Sequence, residues 1–257
     1  MYYADSNDKS GGDRVKIINK IVSFVLDLVF PPLCSACDEP TGNHDALCAE
    51  CLEKYAAEQR IKCRLCKGTA EECSCTIGNG VHGLICSTFY TGYDSDSERV
   101  TEKLLFRLKR TEDQKLFEFF AREAASKIMK HVHSCKLDVE ECVVTYPPRS
   151  EKAMLKYGFD HARRVAAAIS EYTGIPLAVT LERIGGEEQK KLSGKVRLEN
   201  VVNSLKISER ADVKGKTVFI FDDIVTTGST IGWAASCIKD AGARAVIPIT
   251  IARTEKR

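Results

Sequence analysis

The chain has 257 residues, of which 44% are hydrophobic and 29% are charged. These proportions are those of an ordinary soluble globular protein, and they exclude a chain that is disordered along its whole length. The formal net charge of +2 is too small by itself to indicate a nucleic-acid or membrane partner, although local basic patches are compatible with it. A chain of this length suits one medium-sized domain with a small appendage, or two modest domains.

The N-terminal region predicts a tail followed by a short helix. Residues 1–13 are polar and contain glycine, so we expect a disordered tail there. Apolar residues recur at helical intervals over 17–28 and predict an amphipathic helix, for which a membrane-surface anchor is the alternative interpretation. The most apolar run, 21–30, contains Asp27 and is half the length that a membrane span requires. We therefore expect no transmembrane segment and a cytoplasmic protein.

Cysteines are the unusual feature of the composition, because eight of the twelve fall between residues 34 and 75. They form four close pairs in series, namely Cys34 with Cys37, Cys48 with Cys51, Cys63 with Cys66, and Cys73 with Cys75. Two residues between thiols let both sulfurs of one turn reach the same ion, and two such turns make a closed tetrahedral site. We therefore predict two structural Zn²⁺ ions, which also supply folding energy that so small a segment cannot obtain from a core. The spacing leaves open which pair shares an ion with which.

Redox-active pairs and disulfides are the alternatives for these cysteines. Four close pairs in series are unusual for redox chemistry, and a secreted disulfide scaffold spreads its pairs behind a signal peptide. The four remaining cysteines are interpreted as small hydrophobic residues: Cys86, Cys135, Cys142 and Cys237. A glycine-rich hinge is expected at 77–80. The predicted division is thus an N-terminal helix with a double zinc-ribbon module at 14–80 and a second domain at 81–257.

Strands and helices alternate beyond the hinge. We first predict a strand at 84–90 and two helices between 98 and 131 with a break near Thr111. Strands at 142–146 and 177–181 follow, with a helix at 160–173 between them, and then a mobile lysine-rich loop at 184–200. The last predicted elements are a strand at 217–221, a helix at 229–240 and a strand at 245–251. This order predicts an α/β fold with a parallel sheet covered by helices on both faces. In such sheets, ligands bind at the carboxyl ends of the strands.

The most specific motif follows an apolar run without alternation, Val218–Phe221, which is typical of a strand buried on both faces. The run stops at Asp222 and Asp223, and the string 226–230 then begins the next helix. Two adjacent charges are costly to bury unless a ligand supplies partners, as ribose hydroxyls and Mg²⁺ carried on a pyrophosphate do. Gly228 permits a tight bend, hydroxyls can donate to phosphate, and first-turn amides favour an anion. The string therefore predicts a ribose-phosphate site, with solvated aspartates and an ordinary Ser/Thr helix cap as the alternative.

The whole string from 218 to 230 resembles the signature of type I phosphoribosyltransferases that binds 5-phosphoribosyl-1-pyrophosphate (PRPP). By that resemblance Asp222 and Asp223 would contact the ribose hydroxyls and take part in any catalysis, with Mg²⁺ bound alongside PRPP. The residues that would wrap the 5′-phosphate are Thr226, Thr227, Gly228, Ser229 and Thr230.

Together with the cysteine pairs, the layout from about residue 26 to the C-terminus resembles the ComF family, which is associated with DNA uptake in competent bacteria. The likeness is carried by the segments 26–32, 104–109, 145–150, 156–161 and 189–200. Arg149 lies in the segment at the pyrophosphate-loop position, where a cation would neutralise a pyrophosphate; a solvated basic edge is the alternative. The chain departs from the family at 157–161, where it has Tyr-Gly-Phe-Asp-His and the family more often has Arg-Gly-Phe-Asn-Gln.

Three functions follow from the resemblance. The first is a PRPP-binding protein that assists natural competence by handling single-stranded DNA, with the DNA-uptake machinery as a partner. The second is an enzyme that transfers ribose 5-phosphate from PRPP to a nitrogenous acceptor, and the third is a PRPP-sensing regulator. Catalysis stays open, because this chemistry passes through a cationic ribose and needs position, Mg²⁺ and charge stabilisation rather than a protein nucleophile.

Overall fold

The computed structural model describes residue 22 and the ranges 28–41, 45–75, 83–91, 98–184 and 205–255. The predicted tail at 1–13, most of the amphipathic helix at 17–28, the hinge at 77–80 and nearly all of the lysine-rich loop at 184–200 lie outside these residues. Among the helices within the described ranges, none combines the length and the apolarity that a bilayer crossing requires.

A parallel sheet forms the centre of the molecule. In chain order the strands are β1 (Ile85–Tyr90), β2 (Cys142–Thr145), β3 (Leu181–Arg183), β4 (Leu205–Ile207), β5 (Thr217–Val225) and β6 (Ala245–Thr254). The central sheet has the order β1-β6-β5-β2, and each neighbouring pair in it is parallel. β3 and β4 form a separate antiparallel pair. The predicted α/β fold with a parallel sheet is confirmed.

Four of the six helices begin and end close to where the sequence predicts them, whereas the sequence did not predict α1 and α4. They are α1 (Ala49–Gln59), α2 (Val100–Arg110), α3 (Gln114–Ser134), α4 (Glu151–Tyr157), α5 (His161–Thr173) and α6 (Ser229–Asp240). The predicted break at Thr111 separates α2 from α3, and the Asp113 carboxylate caps α3 by accepting from a first-turn amide. The Asp160 side chain caps α5 in the same way, and Gly174 ends that helix in the left-handed conformation with φ of 72°.

β5 is buried on both faces, as its continuous apolar run predicts. Phe219 and Phe221 belong to the core that includes α3 and α5, whereas Val218 and Ile220 belong to a second core that includes α6. The strand does not stop at the two aspartates but continues to Val225, because β6 continues beside it. The aspartates therefore lie within the strand and not beyond its end.

The strand predicted at 177–181 is wrong. Leu177 makes one isolated parallel bridge to Val144, and the next regular strand, β3, begins only at Leu181 and pairs with β4 instead. Between these points the Thr145 hydroxyl donates to the carbonyl of Ala178 at 2.9 Å. A side chain thus occupies the place where a ladder hydrogen bond would continue the central sheet, and the chain leaves it.

The zinc-ribbon segment shares its core with the phosphoribosyltransferase-like part of the chain. Cys51 and Tyr55 of α1 belong to the same buried cluster as Phe117 and Phe120 of α3. The Tyr55 hydroxyl donates to Glu123 Oε2 at 2.6 Å, which ties α1 to α3 by a charge-assisted hydrogen bond. The first cysteine cluster and α1 therefore share one buried apolar cluster with the helices that cover the sheet.

Three of the four cysteines outside the ribbons are at least partly buried, as small hydrophobic residues are: Cys86, Cys142 and Cys237. Cys135 is exposed, so the prediction is wrong for this residue. It is the C-cap of α3 and lies beyond the buried face of that helix, with Sγ 3.6 Å from His131 Nε2.

Candidate functional site

The loop between β5 and α6 places the start of a helix at the end of β5. Gly228 is the N-cap of α6 and has φ of 75°, a left-handed conformation that favours glycine. Glycine has no side chain with which to cap α6, and the Ser229 amide donates a long hydrogen bond to Thr227 Oγ1 at 3.4 Å. The first-turn amides of a helix also have no acceptor one turn earlier. These donors and the helix dipole favour an anion at the start of α6.

Residues predicted from the sequence line a single depression at this loop. The depression has a volume of about 50 Å³ and is lined by Asp222 and by each residue from Ile224 to Ile231. Thr227 Oγ1 lies 2.9 Å from Ser229 Oγ, so these hydroxyls are neighbours. The structure thus brings Asp222 together with all five residues of the 226–230 string.

The two aspartates point in different directions, as successive side chains of a strand do. Asp222 is partly exposed and faces the depression, whereas Asp223 is 6% exposed and faces α2 and α5. One carboxylate oxygen of Asp223 lies 3.0 Å from Lys109 Nζ and 3.1 Å from His161 Nε2. The acidic pair therefore divides into one carboxyl that faces the loop and one that is bound within the protein.

Their surroundings shift the pKa values of the two carboxyls in opposite directions. Burial, and next the charge of Asp223, raise the pKa of Asp222 to about 7. Burial would also raise the pKa of Asp223, but the hydrogen bond from His161 and the charge of Lys109 outweigh it and hold that pKa below its usual range. Among the described residues, Lys109 and His161 contact the carboxylate of Asp223 directly, whereas no cation pairs with that of Asp222.

Sequence reasoning does not identify Lys109 and His161 as partners of Asp223. Both lie in segments that resemble the ComF family, at 104–109 and 156–161, but that likeness assigns them no contact. His161 begins α5, and its second ring nitrogen, Nδ1, is buried without a hydrogen-bond partner among the described residues. Only the packing of α2 and α5 against β5 brings the three side chains together.

Arg149 uses its guanidinium within the protein. Its Nη1 donates to the carbonyl of Phe159 at 2.8 Å, and its Nη2 donates to the carbonyl of Lys109 at 2.7 Å. The guanidinium carbon also lies 4.5 Å from the centre of the Tyr157 ring. Arg149 therefore links the end of α2 to the loop that follows α4.

Two clusters of four thiols form away from the sheet. The first holds Cys34, Cys37, Cys48 and Cys51, the second holds Cys63, Cys66, Cys73 and Cys75, and the sulfurs of each cluster all lie within 4.8 Å of one another. Separations of 3.8 Å, from Cys37 to Cys48 and from Cys63 to Cys75, match the edge of about 3.8 Å that a Zn–S bond of about 2.3 Å gives a tetrahedron. The structure thus decides the pairing that the spacing left open, because the first pair along the chain shares a site with the second, and the third with the fourth.

The first turns of the two clusters have the same backbone design. Asp38 and Lys67, each one residue after a CxxC, have φ of 59° and 62°. In both turns the amide of that residue donates to the carbonyl of the first cysteine, at 3.0 Å. Amide hydrogen bonds, chiefly that of Gly68, lower the pKa of Cys66 to about 6 and so favour a thiolate, the form that binds metal.

The last strand connects the second cluster to the phosphate loop. Arg253 of β6 is 3% exposed, and its guanidinium donates to the carbonyls of Cys73 at 3.2 Å and Cys75 at 2.6 Å. The next residue, Thr254, donates from its hydroxyl to the carbonyl of Thr226 at 2.8 Å. Consecutive residues of one strand therefore hold the second thiol cluster and the 226–230 loop.

Two family models match the chain. A phosphoribosyl transferase domain matches residues 153–257, and a double zinc ribbon domain matches residues 25–87. These matches agree with the positions of the loop at 226–230 and of the two thiol clusters.

Curated relatives match as well. The DNA utilization protein YhgH of Salmonella typhimurium is 25% identical over 237 residues, which cover 88% of this chain and 99% of that protein. The ribose-phosphate pyrophosphokinase of Ureaplasma parvum is 28% identical over 153 residues, which cover 59% of this chain but only 39% of that protein. Among solved structures, phosphoribosylpyrophosphate synthetase from Mycobacterium smegmatis matches at 23% identity over 52% of this chain and 33% of that chain, with a TM-score of 0.35.

The acidic pair predicts opposite stability effects for two isosteric substitutions. The pKa of Asp222 is about 7 in the folded chain and about 4 in the unfolded chain. Its contribution to stability is therefore fully present below pH 4 and is lost as the pH rises through about 7. Asp222→Asn should therefore stabilise the ligand-free chain at pH 8, by on the order of 1–3 kcal/mol, with a smaller gain at pH 5.5. Urea denaturation at both pH values measures this.

Asp223→Asn is the matched control, because the lowered pKa of Asp223 contributes stability above about pH 4. Its loss leaves Lys109 and His161 without their carboxylate, so this variant should be less stable than the parent at both pH 5.5 and pH 8. Equal changes in the two variants would contradict the different surroundings assigned to the two carboxyls.

The thiol clusters predict about two zinc ions per chain, measured by elemental analysis of freshly prepared reduced protein. Cys66→Ser and Cys51→Ser should each reduce the content to about one ion. Cys51→Ser should lower the free energy of unfolding more, because Cys51 belongs to the main core while Cys66 packs against a small separate cluster. Parent protein without zinc would refute the assignment.

Proposed function

We propose that this chain, which joins a double zinc ribbon to a phosphoribosyl transferase domain and is distantly homologous to the DNA utilization protein YhgH, is a ComF-type protein that binds PRPP and handles single-stranded DNA. The observation that carries the first half is the common depression of Asp222 and the 226–230 loop. The second half rests on the family and on the name of the relative.

The proposed 5′-phosphate site is the start of α6. The amides of the first turn and the neighbouring hydroxyls of Thr227 and Ser229 supply several donors within one short loop. A phosphate accepts such donors from several directions at once, and the helix dipole favours its charge. The small volume of the depression suits a phosphate group with an attached ribose at its open side.

The ribose and its metal are proposed to lie at Asp222. A carboxylate accepts hydrogen bonds from the two ribose hydroxyls, and its oxygens are ligands of the kind that Mg²⁺ prefers. When bound with the pyrophosphate, Mg²⁺ supplies positive charge that offsets the phosphate oxygens. The raised pKa of Asp222 supports this role, because a cation beside that carboxyl would relieve its uncompensated charge.

We propose Lys109 as the cation for the pyrophosphate, with Arg149 as the residue that positions it. The Lys109 side chain is 40% exposed and pairs with Asp223, so its ammonium can turn toward an anion beside the acidic pair. The Arg149 guanidinium holds the Lys109 carbonyl and so fixes the last turn of α2. Asp223 would then take part in ligand binding in two ways. It would hold Lys109 in place, and it would accept a hydrogen bond from any ribose hydroxyl that reaches it.

Calorimetric titration tests PRPP binding directly. The parent should bind PRPP with Mg²⁺, and Asp222→Asn and Asp223→Asn should each weaken binding by about tenfold or more, since each loses a charged hydrogen-bonding group. Asp212→Asn is the matched control. Asp212 is exposed, lies before the first residue of β5 and so away from the loop, and pairs only with Lys216 among the described residues. Equal affinity in the parent and both test variants would contradict this site.

The same protein separates binding from transfer. Pyrophosphate release that depends on both PRPP and a nucleobase would identify a transferase. PRPP binding without release for any base in a panel would favour a role in which PRPP is sensed or regulates another activity.

A further inference from the structure

A face of half-buried aromatic rings and exposed cations lies beside the proposed PRPP site. It is formed by Phe106 and Arg110 at the end of α2 and by Lys152, Lys156 and Tyr157 of α4, and we call these five residues the α2–α4 face. Arg110, Lys152 and Lys156 are exposed, and none of the three forms an ion pair with another described residue. Other cations nearby are neutralised, as Arg107 is by Asp38 and Asp113. Within the described ranges, the three exposed charges on this face are therefore uncompensated.

The cations of this face lie against its rings. The guanidinium carbon of Arg110 is 3.6 Å from the centre of the Phe106 ring, and Lys156 Nζ is 5.1 Å from the centre of the Tyr157 ring. The hydrogen bond and charge of Lys156, and then those of Arg110, lower the pKa of Tyr157, so both cations lie near its hydroxyl. The two helices therefore present one continuous surface rather than two separate patches.

Packing does not explain the sequence of α4. This helix has seven residues and buries none of them, and Leu155 is 89% exposed. A short helix without a buried side chain gains little from propensity or from the core. Its lysines and its leucine are therefore available for a contact outside the chain, whereas its tyrosine is half-buried and packs partly against the main core.

The chemistry of the face matches a single-stranded nucleic acid. Uncompensated cations bind backbone phosphates, and aromatic rings with adjacent guanidinium groups stack on unpaired bases. A duplex hides the faces of its bases, so it can use the cations but not the rings. A wholly acidic partner would gain nothing from Phe106 and Tyr157, and an apolar one nothing from the three cations.

The face is also connected to the proposed PRPP site. Lys109 Nζ contacts Asp223 at 3.0 Å, and the next residue along α2 is Arg110. On the other side, Arg149 contacts the Tyr157 ring and the carbonyl of Lys109. We propose that the α2–α4 face binds single-stranded DNA and leads the strand past the ribose-phosphate loop. This inference rests on the DNA-handling half of the proposed function and assigns it a surface.

Fluorescence anisotropy with a labelled oligo-dT tests the assignment on the full chain. Arg110→Gln combined with Lys156→Gln should weaken binding on the order of tenfold and reduce the salt dependence, log Kd against log salt, by about 1.4 for two lost phosphate contacts. The control with matched charge is Lys214→Gln combined with Lys239→Gln. Both control lysines are exposed, Lys214 before the start of β5 and Lys239 in the last turn of α6. Their loss should change the affinity by less than about twofold.

The ring is tested separately from the charges. Tyr157→Leu should weaken binding to oligo-dT on the order of tenfold and reduce the preference for a single strand over a duplex, while Tyr157→Phe keeps the ring and should bind nearly as the parent does. Equal losses in the test and control lysine pairs, or an unchanged Tyr157→Leu, would overturn the α2–α4 face while leaving DNA binding in place. A parent chain that binds no oligo-dT at low salt would instead overturn the DNA-handling function itself.

Discussion

Strands β5 and β6 pair in parallel from Thr217 with Ala245 to Val225 with Arg253, and the rest of the molecule is arranged around this pairing. β5 carries the acidic pair and leads into the phosphate loop, while β6 carries the guanidinium that holds the second ribbon and the hydroxyl that holds Thr226. The hydrogen-bond ladder fixes the register of the two strands. It therefore also fixes the distance between the second zinc ribbon and the 226–230 loop. A change in the second cluster on loss of zinc would therefore alter the position of the 226–230 loop through β6.

The acidic pair has the electrostatics of a site prepared for a cationic or hydroxyl-bearing ligand. Asp223 is bound by Lys109 and His161, and its negative charge raises the cost of ionising Asp222. A ligand that brings Mg²⁺ and ribose hydroxyls would therefore relieve a penalty that the free chain carries. The same contacts hold Lys109 beside the place where a pyrophosphate would lie, which joins the stability of the free chain to the proposed binding chemistry.

The zinc ribbons contribute to the core as well as holding metal. The first thiol cluster lies at the start of α1, whose buried side chains pack with α3, and Glu58 at the end of α1 accepts from the amides of Val100 and Thr101 at 2.6 and 3.0 Å. Metal binding in this cluster would thus help to order α2, the helix that supplies both Lys109 and the α2–α4 face. The metal module, the proposed PRPP site and the proposed DNA surface are consequently neighbours in one folded unit.

Sequence alone was sufficient for the elements whose signals are local. The buried run 218–221, the break near Thr111 and the glycine at 228 predicted strands and helices, and the four close cysteine pairs predicted the eight thiols, because each signal depends on residues a few positions apart. The strand expected at 177–181 was wrong because a side-chain hydrogen bond from Thr145 replaces the ladder there. Tertiary structure alone decided which cysteine pairs share a site, which aspartate faces the loop, and that Lys109 and His161 bind Asp223. These are contacts between residues far apart in the chain, and only the packing of helices against the sheet determines which side chains meet.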